Sequence, residues 1–190
     1  MISYLIKQIL IFCIISIIMV LYFPYVLGDP DVDYTLYSNT NLGFEISYPS
    51  DWEIISYTPP GVFQPKAEVL FGLSNEFVYA TVSIEKTTLS LTEYSAYNLN
   101  QIIENLNSKV FPSQDISISG YPGYKINGIW SDNPFNMVMD VVDTWTVIND
   151  FAYSITFYSP RDMHDDYGNY PPIIDSVIKN MTNSFRLINN

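Results

Sequence analysis

Two stretches of strict alternation constrain the fold most. Val78, Ala80, Val82 and Ile84 alternate with Tyr79, Thr81, Ser83 and Glu85. Phe151, Tyr153, Ile155 and Phe157 recur with the same period behind the dipeptide Asn149-Asp150. A period of two sends successive side chains to opposite faces of a sheet. Asn149-Asp150 is a two-residue turn signal, so the β-rich run from Asn136 to Ile148 folds back as a hairpin. Shorter strands are expected at Phe44–Tyr48, Trp52–Ile55, Glu68–Leu73, Ile116–Ile118 and Tyr124–Trp130. Turns are expected at Pro49-Ser50-Asp51 and around Gly120, Pro122 and Gly123.

Two helices interrupt this series. Ser90 and Glu93 have the spacing of a capping box, in which each satisfies a free N–H at the helix start. Leu99, Ile102, Ile103, Leu106 and Val110 then follow at helical spacing, and Pro112 closes the segment. Pro171 and Pro172 open the second helix, whose buried stripe is Ile174, Val177, Ile178, Met181 and Phe185. The fold class is therefore α+β, a mainly antiparallel β-sheet with flanking helices.

Ahead of these elements stands one N-terminal hydrophobic helix. Ile9 to Leu27 contains no charge, follows Lys7, and precedes Asp29, Asp31 and Asp33. About 20 apolar residues match the hydrocarbon thickness of a bilayer, and the charge asymmetry directs the acidic side outward. Residues 1–28 are expected to be a signal peptide or a membrane anchor. Val26 and Gly28 are small enough to precede a cut at Asp29, but the site is not Ala-x-Ala and the run is long. Both alternatives stand. Residues 29–41 read as an acidic linker and 42–190 as the domain. The location is extracytoplasmic, secreted or anchored to the cell membrane with the domain outside.

Composition narrows the functions. With 20 acidic and 8 basic residues, the formal charge is −12. Such a surface disfavours nucleic acid. The single cysteine, Cys13, lies in the apolar run. No disulfide, thiol nucleophile or cysteine metal site is available to the domain. Its core rests on packing, for which 16 Tyr, 11 Phe and 3 Trp supply the area.

With this order in hand, Gly43-Phe44-Glu45-Ile46-Ser47-Tyr48-Pro49-Ser50-Asp51-Trp52 resembles the opening of the PsbP family. That family comprises extrinsic lumenal proteins of photosystem II and their non-photosynthetic relatives. The close, Tyr153-Ser154-Ile155-Thr156-Phe157 followed by a helix ending Ser184-Phe185, resembles it too. The resemblance spans about Tyr34 to Leu187. It implies a PsbP-like α/β/α sandwich and a non-catalytic binding or assembly module at the outer face of a membrane. It carries over no metal ligand or contact residue.

The candidate chemistry is sparse. Asp162, His164 and Asp166 alternate in a loop that holds the only histidine. An extended loop would turn all three toward one ion; calcium, manganese, zinc or copper fits such ligands. A solvated loop fits them as well. No cofactor is required. A hydrolase would need His164 as its base, but no nucleophile elbow or phosphate loop accompanies it, so the chain reads as not an enzyme. Asp140, Asp143 and Asp150 are expected to face solvent. Tyr79, Tyr94, Tyr97, Tyr158, Tyr167 and Tyr170 offer an interaction face. The partners expected are a protein and, if the N-terminal helix is uncleaved, the membrane.

Overall fold

The computed structural model describes residues 32–55, 67–73, 77–106, 109–131, 137–161 and 172–188. The expected signal peptide or anchor, residues 1–28, lies outside them. Among the described residues no helix is long and apolar enough to cross a membrane.

Among the described residues, three strands form a small sheet in the order β1-β2-β11: β1 is Tyr34–Asn39, β2 Phe44–Pro49 and β11 Arg186–Leu187. Tyr34 to Asn39, assigned from sequence to the acidic linker, thus pairs with β2 along its length. Among the described residues, eight strands form the large sheet. They are β3 (Glu53–Ile55), β4 (Ala67–Leu73), β5 (Val78–Lys86), β6 (Lys109–Val110), β7 (Gln114–Ile118), β8 (Tyr121–Trp130), β9 (Met139–Ile148) and β10 (Phe151–Pro160). Their order is β3-β4-β5-β10-β9-β8-β6, with β7 also on β8. All pairings are antiparallel.

Local chemistry sets the turns. Asn149 and Asp150 both adopt positive φ, 50° and 63°, the backbone that joins β9 to β10 in a two-residue hairpin. Ser119 and Gly120, at 56° and 82°, do the same between β7 and β8. Gly123 admits no side chain, because a Cβ there would lie 2.6 Å from the Trp145 carbonyl oxygen.

Both faces of the large sheet are covered. Helix α1 (Leu91–Leu106) packs on β8 and β9 over Trp145, Ile126, Trp130 and Val141. Helix α2 (Pro172–Ser184) and the small sheet cover the other face, with Phe44, Ile46, Val177, Ile178, Met181 and Phe185 meeting Phe71, Val82 and Ile155. The expected stripe of α2 is the buried one. The capping box of α1 is formed: the Ser90 N–H donates to Glu93 Oε2 at 2.9 Å, and the Glu93 N–H to Ser90 Oγ at 3.3 Å.

The structure corrects three expectations, the first two through the double cover. Tyr79, Tyr94 and Tyr158 are buried, and of the expected Tyr-rich face only Tyr97 is seen exposed; Tyr167 and Tyr170 lie outside the described residues. Asp140 and Asp143 are buried rather than solvent-facing. Alternation implies a wet face only when one face is uncovered. Val110 belongs to β6, opposite Gly128, and not to the first helix. Pairing with the edge of β8 prevails there over helical periodicity.

Candidate functional site: a polar groove between two sheets

The groove is built where α2 hands the chain to β11. Pairing of Arg186 with Glu45 and of Leu187 with Phe44 would, if continued, set Ser184 opposite Ser47. Ser184 is still helical there, so its side chain replaces a strand partner. The Ser47 N–H donates to Ser184 Oγ at 2.9 Å. The Ser184 hydroxyl donates to the Met181 carbonyl at 2.9 Å, with the Ser47 carbonyl at 3.4 Å. Phe185 meanwhile turns into the core against Phe44 and Tyr153.

Across from this junction stands the β7–β8 hairpin. Ser117, Ser119 and Gly120 form that wall; Ser47, Asn183, Ser184 and Arg186 form the other. The space between them is about 610 Å³. Its lining is polar and apolar in about equal measure, with hydroxyl, amide and backbone groups and one guanidinium beside Phe185. Arg186 donates through Nε to Glu45, which anchors the cation on the rim. Such a lining can hydrogen-bond a polar chain. Serines carry no sequence signal for this, because the groove exists only once β7 and β2 are brought together from distant parts of the chain.

A second polar cluster lies under α1. Asp143 is 3% exposed. Its Oδ1 accepts from the Thr156 hydroxyl at 2.8 Å and its Oδ2 from the Asn98 amide at 3.0 Å. Burial pushes its carboxyl up to about 6, against the opposing pull of the Thr156, Asn98 and Thr144 hydrogen bonds. Tyr94 sits beside it. Burial, then the charges of Glu85 and Asp143, raise its hydroxyl well above the ordinary value. This cluster ties a helix to the sheet centre. On the opposite face, Asp140 meets the Arg161 guanidinium at 3.4 Å.

The metal candidates Asp162, His164 and Asp166 lie outside the described residues. So does the His164 of the hydrolase alternative. Among the described residues, no group of three or more His, Cys, Asp or Glu side chains could hold a metal ion.

The architecture defines a class: an antiparallel sheet between helices, with a small sheet sharing one face. Cyanobacterial PsbP (CyanoP) from Synechocystis sp. PCC 6803 has this fold, with a TM-score of 0.57 and 16% identity over 84% of this chain and 95% of that one. The Ran-binding protein Mog1p of Saccharomyces cerevisiae has it too, with a TM-score of 0.58 and 8% identity over 84% and 97%. A protein from Bacteroides thetaiotaomicron is similar at a TM-score of 0.50 and 12% identity, over 82% of this chain and 48% of its own. No protein-family profile matches the chain, and no curated protein matches it. The PsbP-like fold expected from sequence is the fold observed.

Proposed function

We propose that this chain is a non-catalytic binding or assembly module that engages a protein partner through the polar groove. The single observation that carries this reading is the groove itself, an open cleft of about 610 Å³ with hydrogen-bonding groups on both walls. Its fold is shared with Mog1p, a Ran-binding protein, and with cyanobacterial PsbP. The module acts outside the cytoplasm, at a membrane face. Support for that location is the uncharged run Ile9–Leu27 behind Lys7 and ahead of Asp29, Asp31 and Asp33.

The test is position-specific crosslinking with the full chain in its native membranes. A photoreactive residue at Ser119, on the groove rim, is expected to yield one discrete protein adduct. The same residue at Glu104, exposed on α1, is expected to yield none. Equal labelling from both positions, or none from either, would end the reading.

The alternative is an extracytoplasmic metal-binding protein using Asp162, His164 and Asp166. Its support is their alternation in the sequence between β10 and α2. On this reading, thermal unfolding of the full chain shows an ion-specific rise in midpoint with calcium, manganese, zinc or copper. His164→Ala abolishes that rise. A midpoint indifferent to every ion removes the alternative.

A further inference from the structure

The two walls of the groove differ in what they leave unpaired. On one wall, Ser184 already bonds the Ser47 backbone. The other wall is β7, whose described strand partner is β8 alone. Residues flanking a two-residue hairpin turn form a hydrogen-bonded pair, and bonded pairs then alternate along the ladder. Ile118 with Tyr121 and Ile116 with Gly123 are the bonded pairs; Ser117 with Pro122 and Asp115 with Tyr124 are not. Pro122, which has no N–H, occupies a position where β7 asks for none. Asp115 and Ser117 therefore direct their N–H and C=O away from β8. Both residues are exposed, while Ile118 is buried and Ile116 packs on the same core. The strand is held firmly and its outer edge is open. Native sheets usually cover or blunt such an edge.

We infer that the groove receives an extended basic segment of a partner protein, which adds as a strand to the outer edge of β7. This rests on the reading of the chain as a protein-binding module. Main-chain pairing with Asp115 and Ser117 supplies affinity, and side chains alternate between groove and solvent. Charge complementarity selects the segment. The groove's own cation, Arg186, is engaged by Glu45. The Asp115 carboxylate stands exposed at the pairing edge, and the whole chain carries a formal charge of −12.

Amide hydrogen exchange on the full chain tests this. The probes are a short peptide of alternating lysine and valine and its counterpart of alternating glutamate and valine. The lysine peptide is expected to slow exchange at Asp115 and Ser117 by about tenfold or more, and the glutamate peptide to leave both unchanged. Ser117→Pro removes one outward N–H without breaking a bond to β8, so the fold persists and protection at Asp115 is lost. If that variant does not fold, Asp115→Lys replaces it and is expected to abolish the preference for the lysine peptide. Protection by neither peptide, or protection confined to β1 or β3, overturns strand addition. Equal protection by both overturns the basic segment. A crosslink from Ser119 that survives Ser117→Pro keeps the binding module and discards the strand; absence of that crosslink in the unaltered chain discards the module itself.

Discussion

At the scale of single residues, Asp143 is the clearest source of pH dependence. Its folded pKa of about 6 exceeds the ordinary value of 3.8, so the folded state holds the proton more tightly than the unfolded one. The stabilisation is complete below the unfolded pKa and is lost as pH rises through the folded one. The difference corresponds to about 3 kcal/mol between acid and neutral pH. Glu85 and Tyr97 act on the neighbouring Tyr94, and the charge of Glu85 opposes ionisation of Tyr94 as that of Asp143 does. Asp143→Asn keeps an acceptor for Thr156 and offers an amide to a rotated Asn98. It is expected to raise stability at pH 8 by up to about 3 kcal/mol and to change little at pH 4. Urea unfolding of both proteins across that range measures it; parallel pH profiles would contradict the assignment.

Helix α1 is defined at the scale of the element by a short sequence signal that works as its chemistry requires. The Ser90 hydroxyl donates to Glu93 Oε2 at 2.7 Å while accepting the Glu93 N–H. The two hydrogen bonds from Ser90 lower the Glu93 carboxyl below its ordinary value, so this contribution is present at neutral pH and fades in acid. Ser90→Ala is expected to cost about 1 kcal/mol at pH 7. Its cost shrinks as pH falls through the Glu93 titration, which chemical unfolding at two pH values detects. Capping residues, turn dipeptides and the stripe of α2 were all legible because each depends on neighbours within a few positions. The far end of α1 was not. Val110 continues the helical spacing, yet pairing across to Gly128 claims it for β6.

What the sequence could not display at the scale of the molecule was the second cover on the large sheet. Strand alternation identifies two faces but not whether both are packed, so Tyr79, Tyr158 and Asp143 read as solvent-facing when α1 and its neighbours bury them. The groove was invisible for a related reason: Ser47, Ser117 and Ser184 are ordinary polar residues until the sheets meet. Two cores thus share one set of strands, one beneath α1 and one beneath α2 and the small sheet. Because β5, β9 and β10 contribute to both, losing either core removes the support of the other. Met181→Ala on the α2 side and Ile102→Ala on the α1 side are each expected to cost about 2–5 kcal/mol. The two side chains lie on opposite sides of the sheet and share no packing neighbour, so their costs should add to within about 0.5 kcal/mol in the double variant. Unfolding should remain a single transition when followed both by far-ultraviolet dichroism and by tryptophan fluorescence. Trp52 reports from one core and Trp130 and Trp145 from the other. Separated transitions in Met181→Ala would mean that the α1 side stands by itself, and that the sheet does not couple its two faces.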